Sequence, residues 1–190
     1  LTSIRKITEH LKDNLEVHLL ATDTAISVMA TEIIHEAINN CKIGNYSIKA
    51  FYDKDTYVIK GLQVKDRDDF VSKGMVNLVK TIESIASGYY DNCVLNITGG
   101  YKAVIPYLTI MGQVFGMPIY YIFEDTNSLI EIPQVPLDIK WKILDDYCEE
   151  FHRLEKENIG NRKNYNRDFL TAAEAFIERD DDYISLSPLG

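Results

Sequence analysis

Glycines, a hydroxyl group and a lysine come together in residues 96–102, which read NITGGYK. Gly99 and Gly100 lack Cβ atoms, so a ligand can approach the main chain closely where the chain turns. Thr98 adds a hydroxyl group, and Lys102 adds a positive charge at the start of a predicted helix, whose unpaired N–H groups also favour anions. A phosphate or a ribose-phosphate backbone fits this chemistry. A Gly-Gly turn between strand and helix is also common without a ligand, so these residues alone leave both interpretations open.

This loop is neither of two common nucleotide-binding motifs. It lacks the second glycine and the Lys-Ser/Thr pair of a Walker loop, and it has no GxGxxG spacing. Nucleoside triphosphates and dinucleotides are therefore poorly supported as ligands.

A second polar loop follows the predicted strand at residues 16–21. Its residues Thr22, Asp23 and Thr24 stand directly before a predicted helix, and any of the three could cap that helix. Ligands of open α/β sheets bind outside the carboxyl ends of the strands, so both loops are candidate sites.

Strands and helices alternate along the first two thirds of the chain. Apolar residues at helical spacing predict helices over residues 1–14, 25–39, 71–87 and 102–115. Apolar and β-branched runs predict extended segments at residues 16–21, 46–52, 56–64, 93–97 and 119–123. Polar turns or loops are predicted at residues 53–55 and 65–69. The pattern is typical of a Rossmann-like α/β fold with a mostly parallel open sheet flanked by helices.

Two details of this fold can be tested. The helix at residues 25–39 is predicted to pack through Val28, Met29, Ile33, Ala37 and Ile38. Residues 127–128 are predicted to form a hairpin turn into residues 129–132, which gives the sheet an antiparallel edge.

The composition changes after residue 136. Residues 141–156 and 169–179 are predicted to be helices joined by the polar stretch 158–166. We therefore expect a ligand-binding domain at residues 1–136 and a small C-terminal helical appendage and connector at residues 137–190.

Composition and charge restrict the function. The 190 residues carry a net charge of −9, which argues against coating of duplex nucleic acid because that binding needs a broad basic surface. No apolar run is long enough to span a bilayer and no signal peptide is visible, so no membrane association is expected. Three cysteines without a CxxC pair indicate reduced thiols and a cytoplasmic protein.

Other reactive side chains have structural interpretations. His18 lies within a predicted strand and is expected to be packed or hydrogen-bonded rather than to act as a base. Residues 180–182 are three aspartates, which we interpret as a charged turn rather than a metal site. We expect neither a metal nor a cofactor.

Residues 96–102, followed by residues 105–108 (IPYL), resemble the N-x-T-G-G-[FY]-K…P-Y-L stretch of CARF domains. These are the CRISPR-associated Rossmann-fold domains of type III CRISPR systems. Four further segments resemble the APE2256-like subgroup of these sensors and ring nucleases, in the same order along the chain. They are residues 19–24, residues 61–63 with 70–78, residues 118–124 and residues 186–190.

The resemblance implies a homodimer that binds one cyclic oligoadenylate ring, a tetra- or hexa-adenylate, on its two-fold axis. Such a ring suits an isologous dimer because both have two-fold symmetry. Phosphates and riboses would contact the glycine loop, and adenines would lie partly against residues 22–24. The ligand-binding residues expected on this basis are Thr22, Asp23, Thr24, Asn96, Thr98, Gly99, Gly100, Tyr101 and Lys102.

The two ends of the chain raise further expectations. Members of this family usually open with a buried strand whose loop also faces the ligand, and no such strand precedes Leu1. We expect that strand to lie outside this sequence, because losing an inner strand would leave a groove in the core. In related proteins a segment similar to residues 186–190 leads into a connector and an effector domain, so we expect this sequence to be either the sensory half of a larger effector or a stand-alone protein trimmed at its end.

Some CARF domains are ring nucleases that linearise their ligand without a metal. A ribose 2′-OH attacks the adjacent phosphate in line, and the protein holds that geometry and stabilises the developing negative charge. Lys102 is the catalytic residue we expect for this charge, although the sequence leaves cleavage itself open. The alternative function is a Rossmann-like enzyme acting on a small phosphorylated metabolite, with one ligand per subunit.

Overall fold

Helices and strands alternate in residues 1–132 of the computed structural model. It describes residues 1–39, 43–63, 67–99, 102–123, 128–136 and 141–187. The helices are α1 (Thr2–Leu11), α2 (Ala25–Asn39), α3 (Lys54–Tyr57), α4 (Arg67–Asp69), α5 (Val76–Ala86) and α6 (Ile105–Val114). A π-helical turn, Phe70–Met75, joins α4 to α5, and 3₁₀ turns lie at Tyr90–Asn92 and Lys102–Val104. The strands are β1 (Leu15–His18), β2 (Ala21–Thr22), β3 (Ile48–Phe51), β4 (Val58–Ile59), β5 (Leu95–Asn96), β6 (Ile119–Phe123) and β7 (Ser128–Ile132).

Among the described residues up to residue 132, three of the four strand pairs are parallel, as predicted. β1 pairs with β3, β2 pairs with β4, and β5 pairs with β6, all in parallel. β7 is antiparallel to β6, so the predicted edge hairpin is confirmed, although residue 127 of its turn lies outside the described residues. The α/β fold class is therefore confirmed.

Helix α1 contacts two groups of strands, β1 with β3 and β6 with β7. Ile4 packs with Ile38 and Ala50 beside β1 and β3, whereas the His10 ring lies edge-on to Tyr120 of β6 at 5.6 Å between centroids. Within the described part of the chain no backbone ladder joins β1–β4 to β5–β7. Within the described residues these strands thus form three ladders, β1-β3, β2-β4 and β5-β6-β7, and α1 packs against the first and the third.

The segment after β3 differs from the prediction. Residues 56–64 were expected to be extended, but α3 occupies Lys54–Tyr57 and only Val58–Ile59 form a strand. The Asp53 carboxylate accepts hydrogen bonds from the backbone N–H groups of Asp55 and Thr56, which caps α3. The predicted turn at residues 53–55 is therefore the start of a helix. Residues 67–69, expected in a loop, are likewise helical, while residues 65–66 lie outside the described part.

Helix α2 has the predicted bounds, but its predicted packing face is only partly confirmed. Thr31 and Ile38 are buried, whereas Met29 and Ile33 are 62% and 65% exposed. The prediction for Met29 and Ile33 is wrong. This helix is apolar on more than one face, so periodicity could not identify which face meets the strands.

A close backbone contact fixes the loop after β4. Gly61 has φ +81°, a conformation that side-chain-bearing residues rarely adopt. A Cβ on Gly74 would lie 2.7 Å from the Gly61 carbonyl oxygen, so the loop can approach the π-helical turn only because residue 74 is glycine. Leu62 then packs with Met75 and Leu78 in the main apolar core.

The C-terminal region contains both helices and strands. The helices are α7 (Lys142–Asp146), α8 (Cys148–Glu157) and α9 (Arg167–Ala172), and a 3₁₀ turn lies at Arg162–Asn164. The strands are β8 (Gly160–Asn161), β9 (Ile177–Asp180) and β10 (Tyr183–Leu186), in the antiparallel order β8-β10-β9. The helix predicted at residues 169–179 is therefore wrong beyond residue 172. Ile177 and Ile184 pack on Phe169, and this burial stabilises a hairpin that local sequence did not indicate.

Candidate functional site

The first loop, residues 22–24, is closed by its own hydrogen bonds. Thr24 Oγ1 accepts a hydrogen bond from the Ser27 backbone N–H at 3.3 Å, so Thr24 is the residue that caps α2. The Thr22 N–H donates to Ser27 Oγ at 2.9 Å, and the Thr22 and Thr24 hydroxyls are 3.2 Å apart. The Thr22 N–H and the two threonine hydroxyls therefore already have hydrogen-bond partners in the loop or in Ser27.

Asp23 ties this loop to the residues after β4. Its Oδ2 accepts a hydrogen bond from the Gly61 N–H at 3.1 Å, and its own N–H donates to the Leu62 carbonyl at 3.2 Å. We call residues 61–63 the bridge segment. The position of the bridge segment beside the first loop was not predicted, although the parallel pairing of β2 and β4 makes the loops that follow them neighbours. Gln63, which was not among the predicted site residues, follows this contact in the chain and is half-buried.

The second loop, residues 96–102, is anchored at its start. The Asn96 Oδ1 accepts a hydrogen bond from the Thr98 N–H at 3.2 Å, and its Nδ2 donates to Ser3 Oγ of α1 at 2.9 Å. Thr98 Oγ1 accepts from the buried Ile122 N–H of β6 at 2.9 Å. Asn96 and Thr98 thus shape the loop, and the Thr98 hydroxyl keeps its own hydrogen for donation to a ligand.

The tip of the second loop faces open space. A Cβ built on Gly99 would meet no atom within 4 Å. Lys102 opens the 3₁₀ turn before α6, is exposed, and makes no ion pair within the described residues. Gly100 and Tyr101, also predicted to bind the ligand, lie outside the described part of the chain. The main chain at Gly99 and the Lys102 ammonium group are therefore accessible to an anion.

The structure brings the predicted residues together in two groups. Residues 22–24 contact the bridge segment, while Asn96 and Thr98 contact Ser3 and Ile122. No hydrogen bond joins the first loop to the second among the described residues. Each loop follows the carboxyl end of a strand that has a parallel partner, which is where α/β folds bind ligands.

His18 is packed, as predicted. Its ring stacks on Phe51 at 4.9 Å between centroids, and Nδ1 lies 3.0 Å from the Tyr57 hydroxyl oxygen. Burial lowers the pKa of His18 below its ordinary value, and the negative charge of Glu16 opposes that shift. His18 is therefore held in a structural contact on β1, apart from the hydrogen bonds of both loops.

The three aspartates at residues 180–182 also have a structural role. Asp180 ends β9, and Asp181 has φ +48° in the turn that leads to β10. The predicted charged turn is confirmed. Within the described residues no group of three or more His, Cys, Asp or Glu side chains could hold a metal ion, and no helix is long and apolar enough to cross a membrane.

Comparison with protein families identifies the family of this chain. The model of the CRISPR-associated protein family Cas_APE2256 matches residues 1–135, which include both loops and the bridge segment. The chain therefore belongs to this CRISPR-associated family, and the resemblance to APE2256-like proteins is confirmed. A comparison with curated protein sequences gave no significant match.

Among solved structures, the chain is similar to Can2 from Sulfobacillus thermosulfidooxidans, whose structure is a complex with cyclic tetra-adenylate. The identity is 14%, and the TM-score is 0.33. The match covers 90% of this chain and 52% of the Can2 chain, so this chain spans about half the length of Can2. At that TM-score the similarity carries no argument about this chain.

Proposed function

We propose that this chain is a sensor of cyclic oligoadenylate in type III CRISPR antiviral signalling. The ligand is a cyclic tetra- or hexa-adenylate that contacts the second loop, with the first loop contributing to a pocket for adenine. The observation that carries this proposal is the match of the CRISPR-associated family to residues 1–135, because both loops lie in the matched region.

The second loop supports the phosphate part of this proposal. Gly99 leaves its main chain open, and Lys102 offers an exposed ammonium group without an ion pair in the described residues. The Thr98 hydroxyl, fixed by Ile122, can donate its hydrogen in a defined direction. A ring phosphate would thus meet a fixed hydroxyl, an accessible backbone and a mobile positive charge.

The first loop supports a different role. Its two threonine hydroxyls lie within hydrogen-bond distance of each other, and Thr24 Oγ1 also accepts from the Ser27 N–H, so the loop presents a surface that is already shaped. Asp23 holds it against the bridge segment, where Gln63 is half-buried. A base edge can be recognised by such a rigid polar wall at small entropic cost.

The symmetry of the ligand implies a homodimer that binds one ring. Isothermal titration of the full chain with cyclic tetra-adenylate, and separately with cyclic hexa-adenylate, tests this directly. We expect one of the rings to bind with a stoichiometry of one ring per two chains. Binding of neither ring would refute the proposal, and one ligand per chain would favour an enzyme of a small phosphorylated metabolite.

Cleavage of the ring is tested in the same samples. In the expected chemistry the 2′-hydroxyl loses its proton as its oxygen bonds to phosphorus, the bond from phosphorus to the 5′-oxygen breaks, and that oxygen takes up a proton. The product is a linear chain that ends in a 2′,3′-cyclic phosphate. Chromatography after incubation with a chelator present would detect this product if the chain is a metal-independent ring nuclease. An intact ring would assign the chain to sensing alone, and loss of product in Lys102→Ala at saturating ligand would assign a catalytic role to Lys102.

A further inference from the structure

Phe123 is a large aromatic residue that stays exposed at the carboxyl end of β6. It is 44% exposed, whereas Ile119, Tyr120 and Ile122 of the same strand are buried. Among the described residues no other aromatic ring and no cation packs on the Phe123 ring. A single exposed apolar side chain is ordinary on a protein surface, so its position decides whether it has a function.

The Phe123 side chain lies on the face of β6 that α6 covers. Side chains alternate along a strand, so Ile119, Tyr121 and Phe123 share one face. A Cβ built on Gly112 of α6 would lie 2.5 Å from Ile119 Cγ1, which shows that α6 packs on this face. Phe123 is therefore on the same side of the strand as α6 and the turn that precedes it.

The start of α6 is level with Phe123 along the strand direction. β5 and β6 are parallel, so the helix that joins them runs the opposite way and begins near the end of β6. Phe123 lies about 13 Å past Ile119, at about 3.3 Å per residue. Ile105 lies about 10 Å before Gly112 along the helix, and the 3₁₀ turn carries Lys102 about 6 Å further. Lys102 and Phe123 are therefore at similar heights at the same edge.

Phe123 also follows the contact that anchors the second loop. The Ile122 N–H donates to Thr98 Oγ1 at 2.9 Å, which places these two residues side by side on β6 and the second loop. The residues that come next along the chain are Phe123 and Gly99. The open main chain at Gly99 thus leaves the strands beside the exposed ring.

We propose that Phe123 stacks on the face of an adenine of the cyclic ligand, beside the phosphate that the second loop binds; this inference rests on the proposed function. Every base has an aromatic face, and aromatic side chains commonly hold single-stranded nucleotides by stacking. The first loop, residues 22–24, has polar groups for the edge of a base but no aromatic ring. Phe123 supplies the missing contact, next to Gly99 and Lys102.

Isothermal titration of the full chain, with whichever cyclic oligoadenylate the wild type binds, measures this contact. Phe123→Ala should lower the affinity at least about 10-fold, as expected for the loss of one stack between a base and an aromatic ring. Phe123→Trp keeps an aromatic face and should stay within about threefold of wild type. Tyr89→Ala is the matched control, because Tyr89 is 71% exposed but lies before β5, at the opposite edge, and affinity should not change.

Tryptophan fluorescence locates the contact independently of affinity. Trp141, the single tryptophan of the chain, is replaced by phenylalanine, and Phe123→Trp is then made in this background. Stacking of adenine on the indole should quench its emission as the ring is titrated in. Tyr89→Trp in the same background should keep its emission. A purely structural role of Phe123 would predict no quenching in either variant.

The outcomes separate this inference from the proposed function. Wild-type affinity in Phe123→Ala, an equal loss in Tyr89→Ala, or unquenched emission from the tryptophan at residue 123 while the ring binds would each overturn the stacking role and leave the sensor function standing. Binding of neither ring by the wild type would refute the proposed function and this inference together. Urea unfolding checks that Phe123→Ala is folded, and if it is not, the fluorescence titration decides.

Discussion

The first and second loops both follow strand ends, yet they use their polar groups differently. In the first loop, Thr22, Asp23 and Thr24 bond to Ser27, to each other and to the bridge segment. In the second, Asn96 and Thr98 bond inward to Ser3 and Ile122, whereas Gly99 and Lys102 remain open. The first loop is therefore held in shape by its own hydrogen bonds. The second loop is anchored at Asn96 and Thr98, and its tip at Gly99 is open.

The difference indicates where binding energy should come from. Groups already satisfied inside the protein gain little from a ligand, because each new hydrogen bond replaces an existing one. Open charged groups replace only water, and a charge-assisted contact is worth about 1.5–3 kcal/mol. Substitutions at the tip of the second loop should therefore change affinity, and those at the anchors should mainly change stability.

The largest effect is expected for Lys102→Ala. A ring bound by a dimer would meet two copies of Lys102, and each charge-assisted contact is worth about 1.5–3 kcal/mol, so affinity should fall at least about 100-fold. Isothermal titration measures the loss, and Lys142→Ala, an exposed lysine in the C-terminal region, is the control. Unchanged affinity in Lys102→Ala would move the phosphate site away from the second loop.

Thr98→Val should destabilise the chain by about 1–3 kcal/mol. The valine has nearly the same shape, but it leaves the buried Ile122 N–H without its acceptor. Thr98→Ser keeps the hydroxyl group and should restore most of the stability. Urea unfolding compares the three proteins, and a Thr98→Val variant as stable as wild type would show that the second loop is not anchored to β6.

Asp23→Ala should have a smaller effect, about 1 kcal/mol of unfolding free energy. Asp23 is exposed, so water can replace the carboxylate that accepts from the Gly61 N–H. Asp23→Asn retains an acceptor oxygen and should lie close to wild type. Equal losses in both variants would mean that charge, rather than the link to the bridge segment, is what Asp23 provides.

Gly99→Ala should change the unfolding free energy least, by no more than about 0.5 kcal/mol, because its Cβ would enter open space. Affinity for the ring should nevertheless fall, since the methyl group occupies the space through which a phosphate reaches the main chain. Gly112→Ala provides the contrast, because a Cβ there would lie 2.5 Å from Ile119 Cγ1 and should destabilise the core. Wild-type affinity in Gly99→Ala would argue against close approach of the ligand to this turn.

Local patterns predicted the elements that are long or strongly apolar. Helix α2 and strand β6 have the expected bounds, and the hairpin partner of β6 was also found. Prediction failed where packing overrides local preference. Residues 54–57 are helical because Asp53 caps them, and residues 177–180 are a strand because Ile177 is buried with Phe169 and Ile184.

The site was predicted in the same uneven way. Residue types identified both loops, because threonine, glycine and lysine before a helix have a recognisable chemistry. They could not show that Thr98 is bound to Ile122, which is 24 residues away, or that Asp23 reaches Gly61, 38 residues away. Such contacts depend on which strands are neighbours, and a single sequence does not contain that order.

The sequence by itself therefore determined the fold class, the family resemblance and the two loops, since each depends on residue types at short spacing. Only the tertiary structure decided which polar groups remain open and which face of α2 is buried. Helix α2 illustrates the physical reason. The spacing of apolar residues shows that a helix has an apolar face, but burial depends on which strands and helices pack against each face. In this structure no described element covers the face of α2 that carries Ile26, Met29 and Ile33, and these side chains are exposed.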